Sequence, residues 1–123
     1  MMKKLLFLAI LAIAAHSGWS QKLVLAGKTA PVSMSLSDMT GVRTLDSSDP
    51  KISIQSFSVT FFLYGRPMEI ACQGNTFTEE VYEGLELLNL YGVDPKTFTI
   101  EKVEAYKEQK RIEFAPLAIR LKS

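Results

Sequence analysis

The chain has 123 residues, of which 47% are hydrophobic, with fourteen basic and thirteen acidic side chains, one histidine and one cysteine. A balance this close to neutral excludes the general attraction to polyanions that a strongly basic nucleic-acid-binding chain shows. A single cysteine excludes an intramolecular disulfide framework, so the fold is expected to hold by packing.

The first element in chain order is a leader. Lys3 and Lys4 precede an eleven-residue apolar run, Leu5 to Ala15, followed by His16-Ser17-Gly18-Trp19-Ser20. Charge, apolar stretch and small residues in that order are the pattern of a secretory signal peptide. The run is well short of the roughly 20 residues a membrane-spanning helix needs, and no later stretch approaches that length. Cleavage near Ser20-Gln21, with Gly18 at the minus-three position, is therefore expected to release a periplasmic or secreted chain without stable membrane insertion. Cys72 lies too far away to anchor a lipid at that point. Removing twenty residues leaves 103, with twelve basic against thirteen acidic side chains, a net charge of minus one. His16 leaves with the leader, which takes away the commonest general base and zinc ligand. A chain of about 100 residues buries roughly two-thirds of its unfolded surface, enough for one core.

Residues 21–51 read as N-terminal strands and a polar loop. Leu23 and Leu25 hint at a short strand, and Val32, Met34 and Leu36 alternate with serines at the period of two expected of a strand with one buried face. The stretch from Ser37 to Lys51, with Thr40-Gly41 and Asp46-Ser47-Ser48-Asp49-Pro50, reads as a loop, and this whole segment is expected to be loosely attached. Together with residues 52–123 it is read as one folding unit. Ile52 to Tyr64 is dense in β-branched and aromatic residues. Its apolar parity moves from even, at Ile52 and Ile54, to odd, at Phe57, Val59, Phe61 and Leu63; a single buried face then requires a bulge near Gln55-Ser56. Gly65-Arg66-Pro67 is expected to turn the chain into a returning strand whose Met68, Ile70 and Cys72 point inward.

Thr78 with Glu79 and Glu80 marks a helix start, a hydroxyl cap followed by carboxylates at the positive end of the helix dipole. Thr76 with Glu79 offers a competing register, and Phe77 with Tyr82 a hydrophobic staple. Val81, Leu85 and Leu88 fall on one face, and Gly92 followed by Pro95 ends a helix of about three turns. Gly84 within it costs roughly 1 kcal/mol against alanine, so the helix must lean on packing. Beyond it, Thr97 to Ala105 and Arg111 to Leu121 are expected to form a hairpin. A turn centred on Glu108-Gln109 pairs Ala105 with Ile112 and Val103 with Phe114, and sets Glu104 against Glu113. The tip lacks Gly, Asn and Asp, which favours a loop looser than two residues. Parity shifts again at Ala115-Pro116, where proline suits a bulge or an edge. The order of elements favours a mostly antiparallel sandwich with one short helix between strand hairpins.

Several pieces taken together resemble a known family: Ser56-Phe57-Ser58-Val59, Gly65, Gly74-Asn75-Thr76-Phe77, the leucine-bearing helix, Gly92, Phe98-Thr99-Ile100 to Ala105, and Pro116-Leu117-Ala118-Ile119-Arg120-Leu121. In that order and spacing, residues 54–121 resemble the C-terminal domain of GldM, a periplasmic component of the gliding-motility and type IX secretion machinery of Bacteroidota. The resemblance implies an immunoglobulin-like β-sandwich that binds another protein of the envelope or secretion machinery. It carries over no catalytic, cofactor or metal residues.

The residues themselves point the same way. Cys72 is expected to be a small core hydrophobe rather than a reactive thiol. Glu79, Glu80, Glu83 and Glu86 read as a solvated helix face rather than the carboxylate pair of a glycoside hydrolase, and Asp46 with Asp49 fall short of a calcium ligand set. Tyr64 and Arg66 at one hairpin end, and Tyr106 and Arg111 at another, combine the side chains enriched at interface hot spots, the alternative being ordinary surface tyrosines that cover core edges. The expected function is thus protein binding in the cell envelope, with no cofactor and no enzymatic activity; the alternative is a small secreted carbohydrate-binding or enzyme-inhibiting sandwich.

Overall fold

A computed structural model describes residues 22–29 and 32–122; the leader and its cleavage point lie outside the described residues. The chain is mainly β. A six-stranded sheet is built from β2 (Val32–Ser35), β4 (Ser53–Leu63), β5 (Arg66–Gln73), β6 (Thr97–Lys107), β7 (Lys110–Ile112) and β8 (Leu117–Lys122), in the order β2-β8-β6-β4-β5 with β7 also on β6. A two-stranded antiparallel ribbon joins β1 (Leu23–Val24) to β3 (Asp46–Ser47). The sheet is mostly antiparallel, as expected, with one parallel pair at an edge, where β2 runs beside β8.

One face of the sheet is apolar. Cross-strand register places Phe61 opposite Phe98 and Val59 opposite Ile100, with Ile119 and Leu117 next in line, and all six are buried. The parity change in β4 is resolved as the sequence required: register slips between Ile54 and Ser56, so the bulge leaves Ile54 and Phe57 on the same side. A second slip, between Ser56 and Ser58, gives β6 the extra residue in turn. Lys102 there takes a left-handed φ of 54°, and burial in β6 moves from Phe98 and Ile100 to Val103 and Ala105. The two bulges cancel, which keeps Phe61 aligned with Phe98.

The apolar face is covered by helices α1 (Leu36–Thr40) and α2 (Glu79–Tyr91) and by the N-terminal segment. Helix α1 replaces the continuing strand expected through Leu36. Ser35 accepts a hydrogen bond from the Asp38 N–H, a side-chain cap that turns the chain out of the sheet. The N-terminal segment is not loosely attached: Leu23, Leu25, Met34, Met39 and Leu45 are buried in the same core as Phe98. Its tie to α2 is specific. The Tyr82 hydroxyl donates to the Val42 carbonyl, and the Arg43 guanidinium lies 4.7 Å from the Tyr82 ring centroid. Phe77 meets Tyr82 at 6.5 Å, as the staple requires. Thr78 does occupy the N-cap, but its hydroxyl makes no cap bond and is buried without a partner among the described residues.

Both hairpins close more tightly than expected. Leu63 pairs with Arg66, so the turn is Tyr64-Gly65 alone, at φ 56° and 71°, and Arg66 and Pro67 already belong to β5. Lys107 pairs with Lys110 across Glu108-Gln109, at φ 50° and 67°. Two left-handed residues in succession match the right-handed twist of the flanking strands, and that demand overrides the usual residue preference. Ala105 does face Ile112, but β7 ends there, so the ladder never reaches Phe114 or Glu113. Pro116 precedes β8, which lies inside the sheet rather than at an edge.

Candidate interaction site

The loops at the Leu63 end of β4 leave apolar side chains uncovered. Phe62 is 69% exposed, Tyr64 68%, Tyr91 59% and Val93 85%. They border an open trough of about 800 Å³ with Met68, Pro95, Thr60 and Glu101. Monomeric proteins seldom leave more than a few hundred Å² of contiguous apolar surface in water. Aromatic side chains contribute about 150–250 Å² each when fully accessible, so Phe62, Tyr64 and Tyr91 alone approach that limit.

Each is positioned by a local rule. Phe62 has the parity of Ser58 and Thr60, which puts it on the sheet face away from the helices. Tyr64 sits at the first turn position, where a left-handed φ on a bulky residue costs on the order of 1 kcal/mol that asparagine or glycine would avoid. Its ring lies 6.1 Å from that of Tyr91, at the last position of α2. Gly92 then leaves the helix at φ −70°, its N–H bonded to the Leu88 carbonyl. Any β-carbon there would collide with that carbonyl, so glycine is needed for the close approach and not for a left-handed cap. Met68, expected inside with Ile70 and Cys72, is 40% exposed at the margin of the trough. Cys72 is fully buried.

The open sheet face beside the trough is polar and internally satisfied. Ser58 donates to Glu69, which pairs with Lys102 at 2.9 Å, and Thr60 donates to Glu101 at 3.0 Å. The Lys102 ammonium, then the Ser58 hydroxyl, hold the Glu69 carboxyl below its ordinary range. At the far end of the sheet Lys107 pairs with Asp49 at 2.6 Å. Asp49 is thereby engaged, and among the described residues no group of three or more His, Cys, Asp or Glu could hold a metal ion. Glu79 pairs with Arg43 at 3.5 Å, whereas Glu80, Glu83 and Glu86 make no ion pair among the described residues.

The structure separates the four side chains singled out from the sequence. Tyr64 lies in the trough and Arg66 is exposed beside it. Tyr106 is half-buried, pairs with Arg111 on β7 and lies opposite Ser53, at the other end of β4. Ten residues of strand at about 3.3 Å each put roughly 30 Å between the two sites. Arg111 is also held by Glu113 at 3.4 Å. Phe62, Met68, Tyr91 and Val93 were not singled out. For Phe62 the signal was there, an aromatic on the serine and threonine parity of β4.

Comparison with protein-family models, with curated proteins and with solved structures finds no match for this chain. Among the described residues no helix is long and apolar enough to cross a membrane.

Proposed function

We propose that this is an exported protein-interaction module of the cell envelope, docking a partner protein at the trough bordered by Phe62, Tyr64, Tyr91 and Val93. The observation that carries the reading is the exposure of these four apolar side chains at one end of a sheet whose open face is otherwise polar. It is supported by the leader-like N-terminus and by the resemblance of residues 54–121 to the C-terminal domain of GldM, from which an immunoglobulin-like sandwich and an envelope or secretion-machinery partner follow as parts of the same proposal. Tyr64 adds a further argument. A bulky residue kept where asparagine would suit the turn better suggests that its side chain is wanted outside the molecule.

The test uses that strain. In pull-down from envelope extracts, Tyr64→Asn and Tyr91→Ser should each weaken capture of the partner at least tenfold, about 1.4 kcal/mol. The melting temperature of Tyr64→Asn should hold or rise. Undiminished capture by both stable variants would overturn the reading.

A further inference from the structure

We infer that β5 is a docking edge, which takes up an extended segment of the partner as an added strand carrying alternate apolar residues and a basic residue. This rests on the protein-binding reading above and specifies how the partner is held. In the tight hairpin, Leu63 and Arg66 form a hydrogen-bonded pair, and two-residue periodicity makes Met68, Ile70 and Cys72 the next residues bonded to β4. The Gly74 N–H bonded to the Gln55 carbonyl confirms that parity. The backbone groups of Glu69, Ala71 and Gln73 therefore point away from β4, and among the described residues β5 is the last strand of the sheet.

Edges of this kind are usually blunted. Pro67 does so at one end only, by removing one outward N–H; the remaining outward positions keep theirs. Beside this edge runs a helical stripe. Glu80, Gly84, Leu87 and Tyr91 recur at i, i+4, i+7 and i+11 on α2. Gly84 fixes its direction, since a β-carbon there would stand 3.2 Å from Ile70 Cδ1, and the Tyr91–Tyr64 ring pair fixes it again at the trough end. An added strand would lay one set of side chains between β5 and this stripe, against Ile70, Met68 and Leu87. Leu87 and Met68 are both 40% exposed. Glu80 ends the stripe, and Glu83 lies a step further out. Both carboxylates lack an ion pair among the described residues, which selects a lysine or arginine in the segment and disfavours a second copy of this acidic edge.

The test uses a blocked synthetic peptide, Lys-Val-Thr-Ile-Thr-Val-Thr-Lys, titrated to about 1 mM, the range of weak binding. Amide exchange is read by NMR. Binding should slow exchange at Glu69, Ala71 and Gln73 and leave Met68, Ile70 and Cys72 unchanged. N-methylating peptide residues of the bonded parity should weaken binding at least tenfold, and methylating the other parity should not. Ala71→Pro, which removes an N–H not bonded to β4, should abolish the protection and partner capture alike without lowering the melting temperature much; Glu80→Lys should weaken both.

Two outcomes of the peptide titration overturn the proposal. One is absence of protection at 1 mM peptide. The other is peptide-induced shifts confined to Phe62, Tyr64 and Val93. If Ala71→Pro keeps full capture while Tyr64→Asn loses it, edge addition fails and the trough reading stands; if both keep it, both readings fail.

Discussion

Gly84 lies directly over the ring of Phe61: a β-carbon at position 84 would sit 2.8 Å from Phe61 Cζ. The missing side chain lets α2 settle on the sheet. Gly84→Ala should therefore destabilise the protein by about 1–2 kcal/mol, since overpacking a well-filled core outweighs the roughly 1 kcal/mol gained in helix propensity. Denaturant unfolding reads the sign. A stabilised variant would mean that the ring gives way freely.

Phe61 itself is 4% exposed between Phe98 and the helix. Phe61→Ala should cost about 3–5 kcal/mol by denaturant unfolding. A loss below about 1 kcal/mol is the figure for a surface side chain and would contradict its placement.

Cys72 has no access to solvent. Thiol reagents should label the native protein slowly and the unfolded protein quickly. Rapid native labelling would put the edge of β5 in frequent exchange with an open state.

Tyr82 couples the N-terminal segment to α2, and burial raises its phenol above the ordinary tyrosine value despite the opposing Arg43 charge. The native phenol thus keeps its proton at pH values where the unfolded one, near 10, has lost it. Stability from this group is complete below pH 10 and declines as pH rises through the native value. Tyr82→Phe should remove that decline and cost about 1–3 kcal/mol at neutral pH, because the Val42 carbonyl loses its donor. Urea unfolding between pH 8 and 11 checks both.

Asp49 behaves in the opposite direction. Its hydrogen bond from Lys107, then that from the Lys51 N–H, hold its carboxyl below the usual value. The contribution is present above the unfolded value, near 3.9, and is lost as pH falls through the lower native one. Asp49→Asn should flatten the acid limb of the stability profile, and high salt should do so in part. An acid limb unchanged in the variant would assign it to other carboxylates.

The sequence was most legible where a local period meets a buried face. The odd and even apolar residues of β4 announced its bulge, and Leu117, Ile119 and Leu121 announced β8. The matching bulge in β6 is written in the same terms, Ile100 against Val103. Helix α1 was masked because Leu36 continues the parity of Met34, although Ser35 three residues before Asp38 is a cap signal. Tyr64 and Glu108-Gln109 adopt left-handed turns against their propensity because strand twist demands it. No local pattern announces that β2 lies parallel to β8. Of the trough, only Tyr64 was anticipated. The parity of Phe62 with Ser58 and Thr60 is a local signal of its exposure, whereas the exposure of Val93 depends on what fails to pack across from it, a long-range property that no window of sequence contains.

The place of β8 between β2 and β6 sets the order of synthesis against the order of assembly. Ribosomes deliver β2 among the first strands and β8 after the others, yet among the described residues β2 has no neighbouring strand until β8 is inserted beside it. A growing chain can close the β4–β5 and β6–β7 hairpins early, but the sheet must stay open on the β2 side while residues 117–122 are missing. Such a chain commits to its native topology late, a delay that leaves any product shortened before β8 exposed to proteases.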